Sequence, residues 1–401
     1  MILTISEKIK HARMYFGLSQ RSFKRYGIGQ NYLSMIESGK RNPSKEMLEA
    51  IYNALFELTG GEIESLYSKN RFIMNFTEEF ELWFFKKYET VETIINNYEE
   101  CLNLLKENKK YDVAYKIHMM IAGFYQSKSN YDLSNDFLLK AIDYGSSVAN
   151  GLSKIYRHLG LNMRRNLDYK NALVYYTLAL KYLEGDIVTE YYKISYDIAL
   201  TNLNLGNVEK AMSLIDIILE ECEDLPTRGA TYLLRAGVLF RMQRDVEGRE
   251  VLEKYIENPC YEPYIDYAYN NLVDHYFEKE EYDKALTIAL KFIENYPHSA
   301  NLVSPLLLIS QIYEKLGRNE EAFVYLMQIK EDILLGRRKH IKESFCQHAL
   351  NLFLKLNRYD EIEKLFFEVE KCDVSEKFKS DLKLSYFMNK HTSILNLNIK
   401  T

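Results

Sequence analysis

The chain has 401 residues, 47% of them hydrophobic and 27% charged, enough to bury the cores of two or three domains or of one small domain followed by a repeat array. No apolar run approaches a membrane span, and the start Met-Ile-Leu-Thr-Ile-Ser-Glu-Lys lacks the apolar core of a secretory leader, so a soluble, cytoplasmic protein with no membrane partner is expected. Six prolines and seventeen glycines are few for this length, which points to an all-α fold, and five widely separated cysteines without a Cys-x-x-Cys pair read as ordinary reduced thiols.

In chain order, Thr4-Ile5-Ser6-Glu7 has the spacing of a capping box, and Ile5, Ile9, Ala12 and Phe16 fall on one stripe of the helix it opens. Leu18-Ser19-Gln20 caps a second helix that runs through Phe23 and Tyr26. Gly27 and Gly29 then form a tight turn into a short third helix, with Ile28, Leu33 and Ile36 available for burial and Gly39 placed where a helix end favours positive φ. Pro43-Ser44 starts a fourth helix with Leu48, Ile51 and Leu55 on its buried face. Gly60-Gly61 and the polar run Ser68-Lys69-Asn70-Arg71 bracket a last short helix, Glu62 to Tyr67. The expected division is a head at residues 1–66, a linker at 67–75 and a second region at 76–401.

Charge separates these parts. The net charge is −5, yet residues 1–45 hold nine Lys and Arg against Glu7 and Glu37, a local +7 that leaves −12 on the remainder. A basic head on an acidic body is the footprint of a nucleic-acid reader, because cations that displace condensed counterions supply most non-specific affinity.

The head resembles the helix-turn-helix domain of the Cro/repressor (XRE) family. The matching residues are Ile5, Ile9, Arg13, Gly17-Leu18-Ser19-Gln20, Tyr32-Leu33-Ser34, Ile36-Glu37, Gly39-Lys40-Arg41 and Pro43-Ser44. One departure is that Phe23 and Tyr26 stand three apart where the family more often has four, so the second helix is one residue shorter than usual. The resemblance implies phosphate contacts from Gln20 and Arg41, with Lys40 beside them, and base-edge contacts in the major groove from Gln30, Asn31 and Ser34. Amides suit that role because Asn or Gln can pair bidentately with adenine. Tyr32 is either core or a backbone contact, and Arg13 and Glu37 match a pair that joins the first and third helices of relatives.

Beyond the head a repeat is visible. Small or apolar residues recur in sets spaced by twelve and then seven: Ala122, Ser134, Ala141; Gly160, Ala172, Ala179; Ala199, Ala211, Ile218; Ala236, Gly248, Tyr255; Val273, Ala285, Phe292; Ser310, Ala322, Ile329; and Leu350, Ile362, Val369. The middle positions are 37 to 40 residues apart. Small residues at these offsets let two antiparallel helices, and the first helix of the next pair, approach closely enough to bury a continuous core. The pattern resembles a degenerate tetratricopeptide array, which implies a right-handed superhelix of helical pairs. A weaker eighth unit is expected from Phe76 to Leu105, with Trp83, Phe84 and Tyr88 followed by Ile94, Ile95 and Tyr98.

No phosphate-cradling loop, Walker sequence, His-Glu-x-x-His or nucleophile elbow occurs, His340 and His348 are too far apart on a helix to share a metal, and neither an enzyme nor a metal or other cofactor is expected. A helix-turn-helix head on a tetratricopeptide body resembles the RRNPP group of peptide-sensing regulators. That resemblance implies a transcription regulator that reads an inverted repeat in double-stranded DNA as a homodimer, and a short linear quorum-sensing type peptide bound in the array's concave groove. Counting from the anchors places Arg157, Asn162, Arg164, Tyr196, Asn202, Asn204, Arg241, Asn270, Asp274 and Gln311 on or near the groove lining, each of which could equally be a solvated surface residue. Dimer contacts are expected from Ser310 to Val369, where a terminal repeat would otherwise expose an apolar face. Two other readings compete: an array that only dimerises or docks a protein partner, and an enzyme-like regulator of the kind found in group members without the DNA-reading head.

Overall fold

The computed structural model describes residues 3–185, 187–297, 299, 302–336 and 339–398, without the side chains of His340 and 389–398. The end of the expected array at 399–401 and the side chain of His340, expected to share no metal with His348, therefore lie outside the described residues. Among the described residues there are helices and turns but no strand, in two compact units, Met1–Gly185 and Asp186–Thr401.

In the first unit the head comprises α1 (Ile5–Tyr15), a 3-10 helix (Gln20–Tyr26), α2 (Gln30–Glu37), α3 (Lys45–Leu58), α4 (Ile63–Leu66) and α5 (Lys69–Ile73). Thr4 and Glu7 form the reciprocal capping box, and Ser19 and Ser44 cap the 3-10 helix and α3 through their side chains. The three-residue spacing of Phe23 and Tyr26 has a structural counterpart. A 3-10 helix has three residues per turn and stacks positions i and i+3 on one face, so Phe23 is fully buried with Tyr26 half-buried behind it. Gly27 ends that helix at φ +76° and Gly39 follows α2 at φ +72°. Ile9, Ala12, Phe23, Leu33, Ile36, Ile51 and Leu55 are buried together in the head core.

Residues 67–75 are not a free linker. Ser68 caps α5, and Phe72 is fully buried in the head core beside Tyr67 and Tyr52. The polar run that suggested a boundary is the solvent face of this helix. Lys8 of α1 is completely buried and closes the junction: its Nζ donates to the carbonyls of Arg71 and Met74, each at 2.8 Å, and lies 2.5 Å from Glu79 Oε2.

The first unit continues with α6 (Phe76–Lys87), α7 (Val91–Asn96) and α8 (Tyr98–Glu107), three helices where one pair was expected. The break falls at Asn97, whose side-chain amide donates to the Thr93 carbonyl and so competes with the helical ladder. Phe84, Tyr88 and Ile94 are buried there, whereas Trp83 is exposed under the Lys87 ammonium. Two helical pairs come next: α9 (Tyr111–Ser127) with α10 (Tyr131–Ala141), and α11 (Gly151–Arg165) with α12 (Tyr169–Lys181).

The described residues of the second unit form five pairs and a terminal helix. They are α13 (Val188–Asn204) with α14 (Val208–Glu221), α15 (Leu225–Arg241) with α16 (Asp245–Glu257), α17 (Ile265–Glu278) with α18 (Tyr282–Asn295), α19 (Val303–Lys315) with α20 (Asn319–Leu335), α21 (Lys339–Lys355) with α22 (Tyr359–Lys371), and α23 (Glu376–Asn398). Every anchor residue of the repeat is buried. Gly160 shows why small residues recur: a Cβ there would meet the Tyr176 ring at 2.6 Å, and one on Gly248 would run into the Phe240 ring.

The turn inside each pair is also periodic. Ser129, Leu167, Gly206, Gln243, Glu280, Gly317 and Asn357 all take positive φ, between 56° and 80°. The next residue's N–H bonds back to the carbonyl five positions earlier, as in Asn130 to Tyr125, Asp168 to Met163 and Arg244 to Leu239, each at 2.9 Å. This is a Schellman closure repeated seven times.

Candidate functional site

The head presents one built surface. Gly29 caps α2 without a side chain, which leaves the first turn open, and Gln30, Asn31 and Ser34 project from it into solvent. Lys40 and Arg41 are exposed just past its end. Arg41 lies over the ring of half-buried Tyr32, 4.6 Å from the centroid. Of the two roles the sequence left open for Tyr32, the structure has the first: its body packs on the head core, and its face carries the Arg41 cation.

The remaining expected contact, Gln20, is placed differently. Its Nε2 donates to Glu37 Oε2 at 2.8 Å, and the same carboxylate receives Arg13 Nε at 2.6 Å and Nη2 at 2.9 Å. Arg13 also donates to the Leu18 carbonyl. The amide that the resemblance assigns to a phosphate is committed to this network, so Gln20 fixes the 3-10 helix against the end of α2. The pairing of Arg13 with Glu37 matches the expected structural role.

Burial also reapportions the head's charge. Lys8 is internal and Arg13 is paired, which leaves Lys10, Arg21, Lys24, Arg25, Lys40, Arg41 and Lys45 as the exposed cations of residues 1–45. Arg21, Lys24 and Arg25 were counted in the net charge but not singled out as site residues. They line a surface recess of about 670 Å³ with Ser22 and Leu58, and Arg21 Nε donates to Gln30 Oε1 at 3.3 Å.

The ten expected groove residues divide sharply. Arg157, Asn162 and Arg164 belong to the first unit and the other seven to the second. Asn162 is fully buried: its Nδ2 donates to Ser134 Oγ and Asn135 Oδ1, and its Oδ1 accepts from Gln126 Nε2 at 2.6 Å. Asn202 is buried as well, donating to the Ile198 carbonyl and accepting from Asn207 Nδ2. Both amides bind the repeat together and are unavailable to a ligand. Arg157, Arg164, Tyr196, Asn270 and Gln311 are half-buried, and Asn204, Arg241 and Asp274 are exposed. The Asp274 carboxyl reaches solvent but is walled in by protein, and desolvation, with Glu278 adding a like charge, pushes it up to about 6.

Of the ten, Gln311 lines a recess of about 820 Å³ in the second unit, formed mainly by the first helices of the last three pairs. Glu314, Ser344, Gln347, Asn351 and Lys355 line it too. Counting the same helical positions one pair further along would have found Gln347 and Asn351. At its floor His348 Nδ1 lies 3.0 Å from Glu314 Oε2, and Lys355 Nζ lies 2.5 Å from Glu314 Oε1. The His348 hydrogen bond, then Lys355, hold the Glu314 carboxyl down at about 2 against the opposing effect of burial. Ser310 Oγ donates to the Ala322 carbonyl at 2.7 Å and meets His348 Nε2 at 2.8 Å.

Ser310, His348 and Glu314 thus line up as a serine–histidine–carboxylate chain without being a nucleophilic centre. Ser310 is fully buried and its hydroxyl faces a carbonyl. Among the described residues no cluster of His, Cys, Asp and Glu could hold a metal ion, and no helix is long and apolar enough to cross a membrane. Cys101, Cys222 and Cys346 are buried, and burial pushes the Cys346 thiol up to about 12.

Residues 9–59 match the helix-turn-helix family. No curated protein matches the chain. Among solved structures, yeast Tom70 is 18% identical with a TM-score of 0.59, over 77% of this chain and 62% of Tom70. Bacillus thuringiensis PlcR, solved with the peptide PapR7 and DNA, is 17% identical with a TM-score of 0.36, over 73% of this chain and 95% of its own. A Rap protein complexed with competence and sporulation factor is 12% identical with a TM-score of 0.45, over 96% and 99%. The chain thus carries a helix-turn-helix domain at its N-terminus ahead of tetratricopeptide-like helical pairs.

Proposed function

We propose that this chain, with its helix-turn-helix head and tetratricopeptide-like array, is a cytoplasmic, non-enzymatic transcription regulator whose head reads duplex DNA and whose array binds a short signalling peptide. The observation that carries the DNA reading is the surface of α2. It offers two amides on an open first turn and the Ser34 hydroxyl at the start of the next, with exposed cations on either side. Base edges meet Gln30, Asn31 and Ser34; Arg41, Lys40 and the cluster Arg21, Lys24 and Arg25 meet phosphates. The peptide reading is supported by the recess at Gln311, Gln347 and Asn351, whose amides can donate to and accept from an extended backbone.

The regulator acts as a homodimer on an inverted repeat, since one head of this size buries too little surface for high specificity. Exposed Phe367, Leu384, Phe387 and Met388 on the last two helices favour a dimer through the C-terminal end over a solitary chain. Light scattering of the purified protein at micromolar concentration should give twice the chain mass, and a monomer with and without peptide would remove this part.

DNA binding is tested by fluorescence anisotropy on the region upstream of the protein's own gene, with scrambled duplex as reference, between 50 and 200 mM salt. Asn31→Ala should cost about 1–3 kcal/mol on the preferred sequence and leave the scrambled duplex unchanged. Arg41→Ala should weaken both and lower the salt slope by about one. Absence of salt-dependent binding to either duplex would sink the DNA reading.

A further inference from the structure

The face of α2 that the proposed reading turns toward DNA is not uniformly polar. Gln30, Asn31 and Ser34 share it with Met35, which is 41% exposed, while Leu33 and Ile36 on the opposite face are fully buried. Met35 stands one turn beyond Asn31 on the same strip, since residues four apart on a helix are neighbours. Its carbonyl closes the helix: it accepts from the Lys40 N–H at 2.9 Å, from the Arg41 N–H at 3.2 Å and from Ser38 Oγ at 3.1 Å. Lys40 and Arg41, the cations assigned to phosphates, are thus tied to the residue that carries the thioether, so their seat on the backbone sets how far the Met35 side chain enters the groove. Ser38 turns its hydroxyl back on the helix through the same carbonyl, which leaves Met35 to face the groove at this end of α2.

Met35 has no N–H or O–H to donate, and its sulfur is a weak acceptor. Pressed against N7 and O6 of guanine, or against the amino group of cytosine, it strips water from polar groups and returns no hydrogen bond. The 5-methyl of thymine is the one apolar feature on the major-groove edges, and a flexible thioether chain covers it without that cost. We infer that Met35 is a specificity-determining residue that selects thymine at one position of each half-site by covering its 5-methyl group. The inference rests on the DNA reading proposed for the head and adds an apolar base contact to the amide and phosphate contacts assigned there.

The test begins with the full-length protein and a pool of duplexes whose randomised core is about 30 bp, long enough for two half-sites a helical turn or two apart. Each thymine of the enriched sequence is then replaced singly by deoxyuridine, which removes only the methyl. Fluorescence anisotropy should show binding about fourfold weaker at one thymine in each half-site, the loss of one buried methyl group. Met35→Ala should bind the thymine and deoxyuridine duplexes equally, with its thermal melt unmoved. Selection repeated with Met35→Gln, a side chain of the same length, should lose thymine at that column and keep the columns that depend on Gln30 and Asn31. A parent indifferent to deoxyuridine at every thymine, a deoxyuridine effect that persists in Met35→Ala, or a pool that is bound without any sequence being enriched would overturn the inference and leave DNA binding by the head standing. A pool that is not bound at all would overturn the DNA reading itself.

Discussion

The head and the array are both built from helices joined by tight turns, yet they use glycine in opposite ways. In the head Gly17, Gly27 and Gly39 occupy left-handed turns, at φ of 63°, 76° and 72°, with open space where a Cβ would go. In the array five of the seven turns inside pairs place a residue with a side chain in that conformation, and Gly160 and Gly248 sit inside helices against aromatic rings. A small head must fix each turn locally, so its turn chemistry stays visible as a motif. In the array packing on both sides imposes the turn, and the residue type there is free to drift while the close-approach positions are not.

The largest expected effect tests how the head is joined to α6. Lys8→Met removes the cation from a fully buried site, takes the donor from the Arg71 and Met74 carbonyls and leaves the buried Glu79 with only the exposed Arg71 opposite it, which should cost about 3–5 kcal/mol in urea unfolding. Adding Glu79→Leu should recover most of that, because two apolar groups replace the pair. If the single variant were as stable as the parent, Lys8 would not bear on the junction.

Next in size is an acid effect confined to the last repeats. Glu314 is held at about 2 by His348 and Lys355, well below its ordinary value, so its contribution is present above about pH 4.5 and is lost as pH falls toward 2. A displacement of this size corresponds to something on the order of 3 kcal/mol. Urea midpoints measured from pH 5 to pH 2.5 should fall less steeply in Glu314→Gln than in the parent. Identical slopes would show that this carboxylate is not the group titrating.

These two sites mark where the sequence was readable and where it was not. Thr4, Glu7, Ser19, Ser44 and Gly39 act through neighbours three to five residues away, so their roles can be read from spacing. The anchors were readable because close approach excludes a large side chain at Gly160 or Ala172 regardless of chain direction. Lys8 looked like one more surface cation because its partners, at Arg71, Met74 and Glu79, are more than sixty residues distant. Two of the ten expected groove residues turn inward, for another reason. Asn162 and Asn202 are near enough to the groove by counting, but one helical position decides whether an amide faces solvent or the Ser134 hydroxyl and the Ile198 carbonyl.

Gly160→Ala comes third. The new Cβ would lie 2.6 Å from the ring of Tyr176, which is itself fully buried and cannot swing aside. Overpacking of this kind costs about 1–3 kcal/mol, partly offset by the roughly 1 kcal/mol that Ala gains over Gly inside a helix. A net loss in the urea midpoint is expected. A neutral or stabilising outcome would mean that α11 and α12 can separate without penalty, and close approach would then not be the reason for the repeat's small residues.

Leu167→Gly should produce the smallest change, and in the opposite direction. Leu167 sits in the turn between α11 and α12 at φ +62°, with 71% of its surface exposed, so its side chain contributes little packing. Holding an L-residue in that conformation costs roughly 1–2 kcal/mol. Glycine removes this strain but loses more entropy on folding, about 0.5–1 kcal/mol. The balance is a stabilisation of roughly 0.5–1 kcal/mol by these figures. Gly206→Ala, at the equivalent turn of the next pair and φ +80°, should lose a similar amount. Urea unfolding of both variants settles the pair: opposite signs would show that the seven turns share one backbone demand met by different residues. A destabilised Leu167→Gly would show instead that this leucine holds the turn through contacts of its side chain, and the contrast between head and array would fail at that position.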